Sequence, residues 1–432
     1  MRRARKMLLG CAGVVVALLL GGCVSHRVYH CPSQAGSTNA PNHSFACIEL
    51  DELGELWRPD QITEATSKIR QQSGKAKPVL LVIFVHGWKH NASTNDANYQ
   101  SFVKFTEKLA EKPGEPGIFN PVAQNFHLMG VYIGWRGSVT SVPFVEHLTF
   151  WSRRNAAVRA AGTSATESIF TLIAAAREHP NSKVVLIGHS MGALLVEKAV
   201  TQAMVGSMIM QGTLENEATS RPPADLTLLV NSAAESTQAK QFIQMLKRRG
   251  RPPGTGPEQP LIISVTSVGD NATRVAFPWS MTLGSLTRQF RDYDSYTNTC
   301  PCPDAFPGSQ RYYYVRTAGH NSRLWSHQVK EVGAIREAHE NRTIRPEQTD
   351  LWENLGRQGR WQFRVGSKIY EILPVENSPN DTPYWVMQVP KGILKDHGGI
   401  FKNSFWGFAG ALFRLTDTQR PESQGRGYLQ KL

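Results

Sequence analysis

Ser190 sits between two glycines in Gly188-His189-Ser190-Met191-Gly192, and the chain on either side suggests what its hydroxyl could do. Lys183-Val184-Val185-Leu186-Ile187 has the β-branched, apolar character of a strand buried on both faces, and Ala193 to Val200 has helical composition with no breaker. A sharp strand-to-helix turn holds its central residue in strained backbone geometry and leaves no space for side chains at the flanking positions. Gly188 and Gly192 meet that demand, so Ser190 reads as a nucleophile presented alone at the top of a sheet. The competing reading is an ordinary surface turn.

A second apolar strand, Pro78 to Val85, ends in His86-Gly87-Trp88. Together the two segments resemble the α/β-hydrolase superfamily, whose lipases and esterases carry an oxyanion loop at the end of their third strand. The resemblance implies that two backbone N–H groups face a tetrahedral intermediate, and Trp88 and Met191 are the candidate donors. It also implies the chain order serine, acid, histidine.

Asp270 stands where the acid is expected, in Val268-Gly269-Asp270 just past the apolar strand Pro260 to Ser267. Gly-Asp-Asn is also common turn chemistry, and Glu235, after the preceding strand, is the alternative acid. Of thirteen histidines only His320, His327, His339 and His397 follow Asp270. His339 falls in the charged, helical-looking stretch Lys330 to Glu340, whereas His320 follows a plausible strand, Arg311 to Thr317. His397 follows the strand Tyr384 to Pro390 and precedes the apolar helix Phe401 to Arg414, the arrangement that would close the domain. His397 is therefore the expected base and His320 the alternative. Lys395-Asp396-His397-Gly398-Gly399-Ile400 also resembles the histidine loop of uncharacterised bacterial members of the superfamily.

The intervening elements must hold these groups on one sheet edge. Strand patterns at Val131 to Gly137 and Leu226 to Asn231 alternate with helical stretches at Tyr99 to Glu111, Ala156 to Glu178 and Gln238 to Lys247, as parallel pairing requires. The expected class is α/β, an α/β-hydrolase fold with a doubly wound, mostly parallel sheet and a large insertion before the last strand. The expected divisions are a signal peptide at 1–22, a tether and irregular segment at 23–60, and the core at 61–270. An aromatic-rich insertion at 271–382, cap-like or shielding the sheet edge, comes next. The last strand, histidine loop and final helix occupy 383–416, and a polar tail 417–432. Residues 271–382 are too many for a plain loop.

Arg2, Arg3, Arg5 and Lys6 precede an apolar run from Met7 to Leu20, a charged start with a core shorter than a membrane span. Leu20-Gly21-Gly22-Cys23 then resembles a bacterial lipobox, implying cleavage before Cys23 and acylation of its thiol. Val24 in place of aspartate points to the outer membrane, facing the periplasm. Several acyl chains make a stable anchor where one does not. The alternative is an uncleaved membrane anchor. Cys31, Cys47, Cys300 and Cys302 remain as an even set suited to an oxidising compartment; three pairings are possible, and Cys31 with Cys47 is the easiest to close.

Subtracting the four amino-terminal cations from the net charge of +13 leaves +9, a basic surface that attracts anionic head groups. No motif for nucleic-acid binding accompanies that charge. No Cys/His set has metal-ligand spacing, and no cofactor is expected. The overall expectation is a lipid-anchored serine hydrolase acting on ester-containing small molecules or lipids, with the membrane reached through Cys23. The alternatives are a thioesterase or acyltransferase with the same triad, or a non-catalytic envelope lipoprotein built on this scaffold.

Overall fold

The computed structural model describes residues 31, 42–73, 77–111, 126–140, 146, 149–210, 224–249, 260–290, 306, 308–334 and 361–418. The signal-like segment, Cys11, Cys23, Cys300, Cys302 and His339 lie outside them.

The framework is a ten-stranded, mostly parallel sheet flanked by helices. In chain order the strands are β1 (His43–Glu49), β2 (Val79–Val85), β3 (His127–Gly134), β4 (Lys183–His189), β5 (Leu226–Val230), β6 (Ile262–Ser267), β7 (His327–Ala334), β8 (Trp361–Val365), β9 (Lys368–Pro374) and β10 (Tyr384–Val389). Their spatial order is β1-β3-β2-β4-β5-β6-β10-β7-β9-β8. Pairing is parallel from β1 through β7, and antiparallel where β7 meets β9 and β9 meets β8. Every residue of β2, β3 and β5 is buried, which explains why these strands read as continuous apolar runs.

Helices α1 (Asp60–Ser73), α3 (Phe150–Ala160), α4 (Thr163–Arg177), α5 (Met191–Met210), α6 (Ser236–Arg249), α7 (Phe277–Gly284) and α8 (Gln310–Tyr314) pack on one face. On the other lie α2 (Ala97–Glu111) and α9 (Asn403–Thr418), whose Phe405, Phe408, Leu412 and Phe413 are fully buried. Burial of this apolar area on both faces is the main stabilising contribution, about 25 cal/mol per Å².

Four local expectations are corrected. The segment 23–60 is not irregular throughout: His43–Glu49 forms β1, paired in parallel with β3, and Cys47 of β1 is disulfide-bonded to Cys31. The stretch Ala156 to Glu178 is two helices, α3 and α4, because the chain turns at Ala161 and Gly162, where Gly162 is extended and caps α4. Arg311 to Thr317 is not a strand; Ser309 caps the short helix α8 by accepting a hydrogen bond from the Tyr312 amide. Of the stretch Lys330 to Glu340, the described part, Lys330 to Ala334, is not helical: it belongs to β7 (His327–Ala334). Within 271–382 the described residues supply α7, α8 and three strands that extend the sheet beyond β10.

Candidate active site

The carboxyl ends of β4, β6 and β10 each deliver one polar side chain to a common point. Ser190 follows β4 with φ of 56°, the left-handed conformation that a strand-to-helix elbow forces on its central residue. Neither glycine can be replaced without a clash. A Cβ at Gly192 would come within 2.3 Å of the carbonyl oxygens of Val85 and His86, and one at Gly188 within 2.6 Å of Ala193 Cα.

His397 Nε2 lies 2.9 Å from Ser190 Oγ, and His397 Nδ1 lies 2.9 Å from Asp270 Oδ2. The three residues are brought together across 80 and 127 positions of sequence. Asp270 is fully buried, while the His397 side chain keeps 30% exposure, so the imidazole faces solvent and the carboxylate does not. Burial alone would raise the Asp270 carboxyl. The hydrogen bond from His397 and its charge, with the Thr273 hydroxyl and amide, outweigh that and hold it below the usual carboxylate range. The amides of Ala272 and Thr273 donate to Oδ1 at 2.9 and 3.1 Å, leaving Oδ2 for the Thr273 hydroxyl and His397.

The two alternative residues occupy other places. Glu235 is ion-paired with Arg154 of α3. His320 is linked to Asp270 rather than to Ser190: its Nε2 is 3.1 Å from Thr273 Oγ1, whose hydroxyl donates to Asp270. Gln388 Nε2 donates to the carbonyl of Gly319 (2.9 Å), which orients the amide, and to His320 Nδ1 (3.1 Å). His320 Nδ1 must therefore accept, and its Nε2 carries the proton given to Thr273. Burial lowers the His320 pKa to about 4, so the ring stays neutral. His327 begins β7 with its Nδ1 2.9 Å from Ser326 Oγ and its ring against Trp385.

Three positioning groups escaped the sequence reading. Asn231, fully buried just after β5, donates from Nδ2 to the carbonyls of Asp396 (3.1 Å) and His397 (3.0 Å), and its Oδ1 accepts from the Ser267 amide. His189 Nε2 donates to the same His397 carbonyl at 2.8 Å. Burial lowers the His189 pKa to about 3, so it serves as a neutral donor. Thr273 links Asp270 to His320. The only sequence signal for Asn231 was a polar residue ending an apolar strand.

On the opposite side of Ser190 lies the loop after β2. A Cβ at Gly87 would fall 2.8 Å from Ser190 Cβ, so this loop presses directly on the nucleophile. His86 Nδ1 donates to the Gly87 carbonyl at 2.8 Å, and its Nε2 accepts from the Trp135 amide at 2.9 Å. Its ring stacks on Trp135, which ties the loop to the end of β3. Trp88 follows Gly87, half-buried against Phe150. Met191 is the first residue of α5 and directly follows Ser190.

A serine hydroxyl hydrogen-bonded to an imidazole, itself oriented by a buried carboxylate, can add to an electrophilic carbon and pass its proton along the pair. Among the described residues no group of three or more His, Cys, Asp or Glu is placed to hold a metal ion, and no helix is long and apolar enough to cross a membrane. No family model matches this chain, and no curated protein matches it.

Proposed function

We propose that this protein is a serine hydrolase of the α/β-hydrolase type that cleaves carboxylic esters through an acyl-enzyme. The observation carrying this reading is the continuous relay Ser190 Oγ, His397, Asp270, with both hydrogen bonds at 2.9 Å. The order of the strand ends supports it: nucleophile after β4, acid after β6, base after β10, with β4, β5, β6 and β10 side by side.

In the first half-reaction Ser190 Oγ bonds to the ester carbonyl carbon as its proton moves to His397 Nε2. The imidazolium is stabilised by the ionised Asp270. The oxyanion is held by the backbone N–H groups of Trp88 and Met191. Collapse breaks the bond to the alcohol, which leaves with the proton from His397. Water then gives a proton to His397 Nε2 and adds to the acyl carbon; expulsion of Ser190 Oγ returns the proton to serine and releases the carboxylic acid. Lipidation of Cys23 and residence at the outer membrane, facing the periplasm, complete the proposal.

A fluorophosphonate probe followed by peptide mapping tests it. Wild type should be modified at Ser190 and should hydrolyse short p-nitrophenyl esters. Ser190→Ala should lose the label and on the order of 10⁴ or more in kcat. An unlabelled, inactive wild type would favour a non-catalytic scaffold.

A further inference from the structure

The segment that follows Asp270 buries one side and carries large apolar residues on the exposed side. Thr273, Phe277, Met281 and Ser285 recur every four residues and are buried. Phe277 meets Phe150 edge to face, and a Cβ at Gly284 would come within 2.5 Å of the Trp151 ring, so α7 is seated firmly on α3. The opposite side should then be polar. Instead it carries Val275, Trp279, Leu283 and Leu286 at 47%, 71%, 63% and 73% exposure.

These four, with Val268 at 38%, make up five of the nine large exposed hydrophobic residues among those described, and all lie within nineteen positions around the acid of the triad. A contiguous exposed apolar stripe of this kind marks an interaction surface. The charges nearby indicate with what. From Asn271 to Phe290 there is no Asp or Glu, while Arg274 and Arg288 flank the apolar stripe and are exposed. Exposed Lys391 and Lys395 border Gly269 beside Val268; of the acids there, Asp396 is exposed and Asp270 is fully buried. An exposed tryptophan on an apolar stripe bracketed by arginines suits the boundary between head groups and acyl chains.

We propose that the outer face of α7 docks on an anionic lipid bilayer and so brings bilayer-borne acyl esters to Ser190; the ester part rests on the hydrolase reading, and the docking part does not. Trp279 and the two leucines would enter the head-group boundary while Arg274 and Arg288 meet lipid phosphates. The catalytic serine would then work beside the membrane surface, with no need for its substrate to cross water.

Trp279 reports on this directly. Its emission is the difference between full-length wild type and Trp279→Phe. In buffer acrylamide should quench that difference freely. On vesicles of brominated phosphatidylglycerol the lipid bromines should quench it and shift it to the blue, and brominated phosphatidylcholine should do so less. Shielding from acrylamide in buffer would mean that another part of this chain or a second copy covers the face, and would overturn the proposal. So would vesicle-bound protein whose Trp279 signal is unquenched, or protein that does not bind vesicles. Leu283→Ser/Leu286→Ser should slow hydrolysis of a vesicle-borne ester at least tenfold and leave kcat/KM for a soluble short ester unchanged. If wild type hydrolyses neither ester, the hydrolase reading fails, and the Trp279 signal still decides the docking.

Discussion

His320 and Asp270 share one hydroxyl: Thr273 Oγ1 donates to Asp270 Oδ2 and stands 3.1 Å from His320 Nε2. A second imidazole thus backs Asp270 through Thr273, whose hydroxyl shares Oδ2 with His397. Because Gln388 holds His320 in the Nε2–H tautomer, the Thr273 proton has only Asp270 to go to. The carboxylate is locked in the orientation that His397 needs.

The two histidines should consequently separate cleanly in kinetics. His397→Ala removes the proton acceptor and should cost about 10⁴ in kcat, with fluorophosphonate labelling lost and the fold intact by circular dichroism. His320→Ala loosens only the support of Asp270 and should keep most of the activity. Reversed results would show that His320, not His397, works on the serine.

Asn231→Ala should weaken the hold on the His397 loop, because two backbone carbonyls lose a donor and the Ser267 amide loses its acceptor. Leaving such buried groups unpaired costs about 1–3 kcal/mol each in the worst case. Both a lower urea midpoint and a fall in kcat larger than any change in KM are expected. An unchanged kcat would show that His189 alone fixes the loop.

Stability should pass through a maximum near pH 6.5. Burial lowers His43, His86, His320 and His327 to about 4 and His189 to about 3, so between those values and 6.5 the unfolded chain binds protons that the native chain does not. Stability therefore rises with pH over that window. Glu49 and Glu197 act oppositely. Burial raises each to about 8, the native state keeps their protons after the unfolded state has lost them, and stability falls between 4.5 and 8. Five histidines outweigh two glutamates below pH 6.5, and from there to about pH 8 the glutamates dominate. Glu197→Gln, still able to accept from Tyr384, should flatten the fall above pH 6.5 in urea titrations.

A fatty-acid analogue fed to the expressing bacterium should label wild type and not Cys23→Ser. Labelled protein should stay with membranes in high salt, since salt screens charge but leaves hydrocarbon burial intact. Leu8-Leu9-Gly10-Cys11 has a similar look but comes before the apolar core is complete; label lost only in Cys11→Ser would move the anchor to that cysteine.

The sheet was legible in the sequence where burial on both faces made strands continuously apolar, as in β2 and β4. It was illegible in β1, because His43-Ser44-Phe45-Ala46-Cys47-Ile48-Glu49 mixes polar and apolar residues and its partner, β3, begins some eighty positions later. Three successive tyrosines, Tyr312 to Tyr314, favour a strand by propensity, but the Ser309 cap and packing against α6 made a short helix there. The three residues of the relay could be read from type and order along the chain. Asn231 and His189 could not, because both act on a backbone carbonyl that no sequence pattern marks, more than 160 positions away.

The disulfide between Cys31 and Cys47 gives the molecule a short leash. It pins residue 31 to β1 at the sheet edge, only eight positions along the chain from Cys23. Fully extended, such a stretch spans at most about 29 Å. An acyl group on Cys23 would thus confine the folded body to a shell one protein diameter deep above its own leaflet. With such an anchor, the membrane that held the protein and the surface it worked on would be the same one.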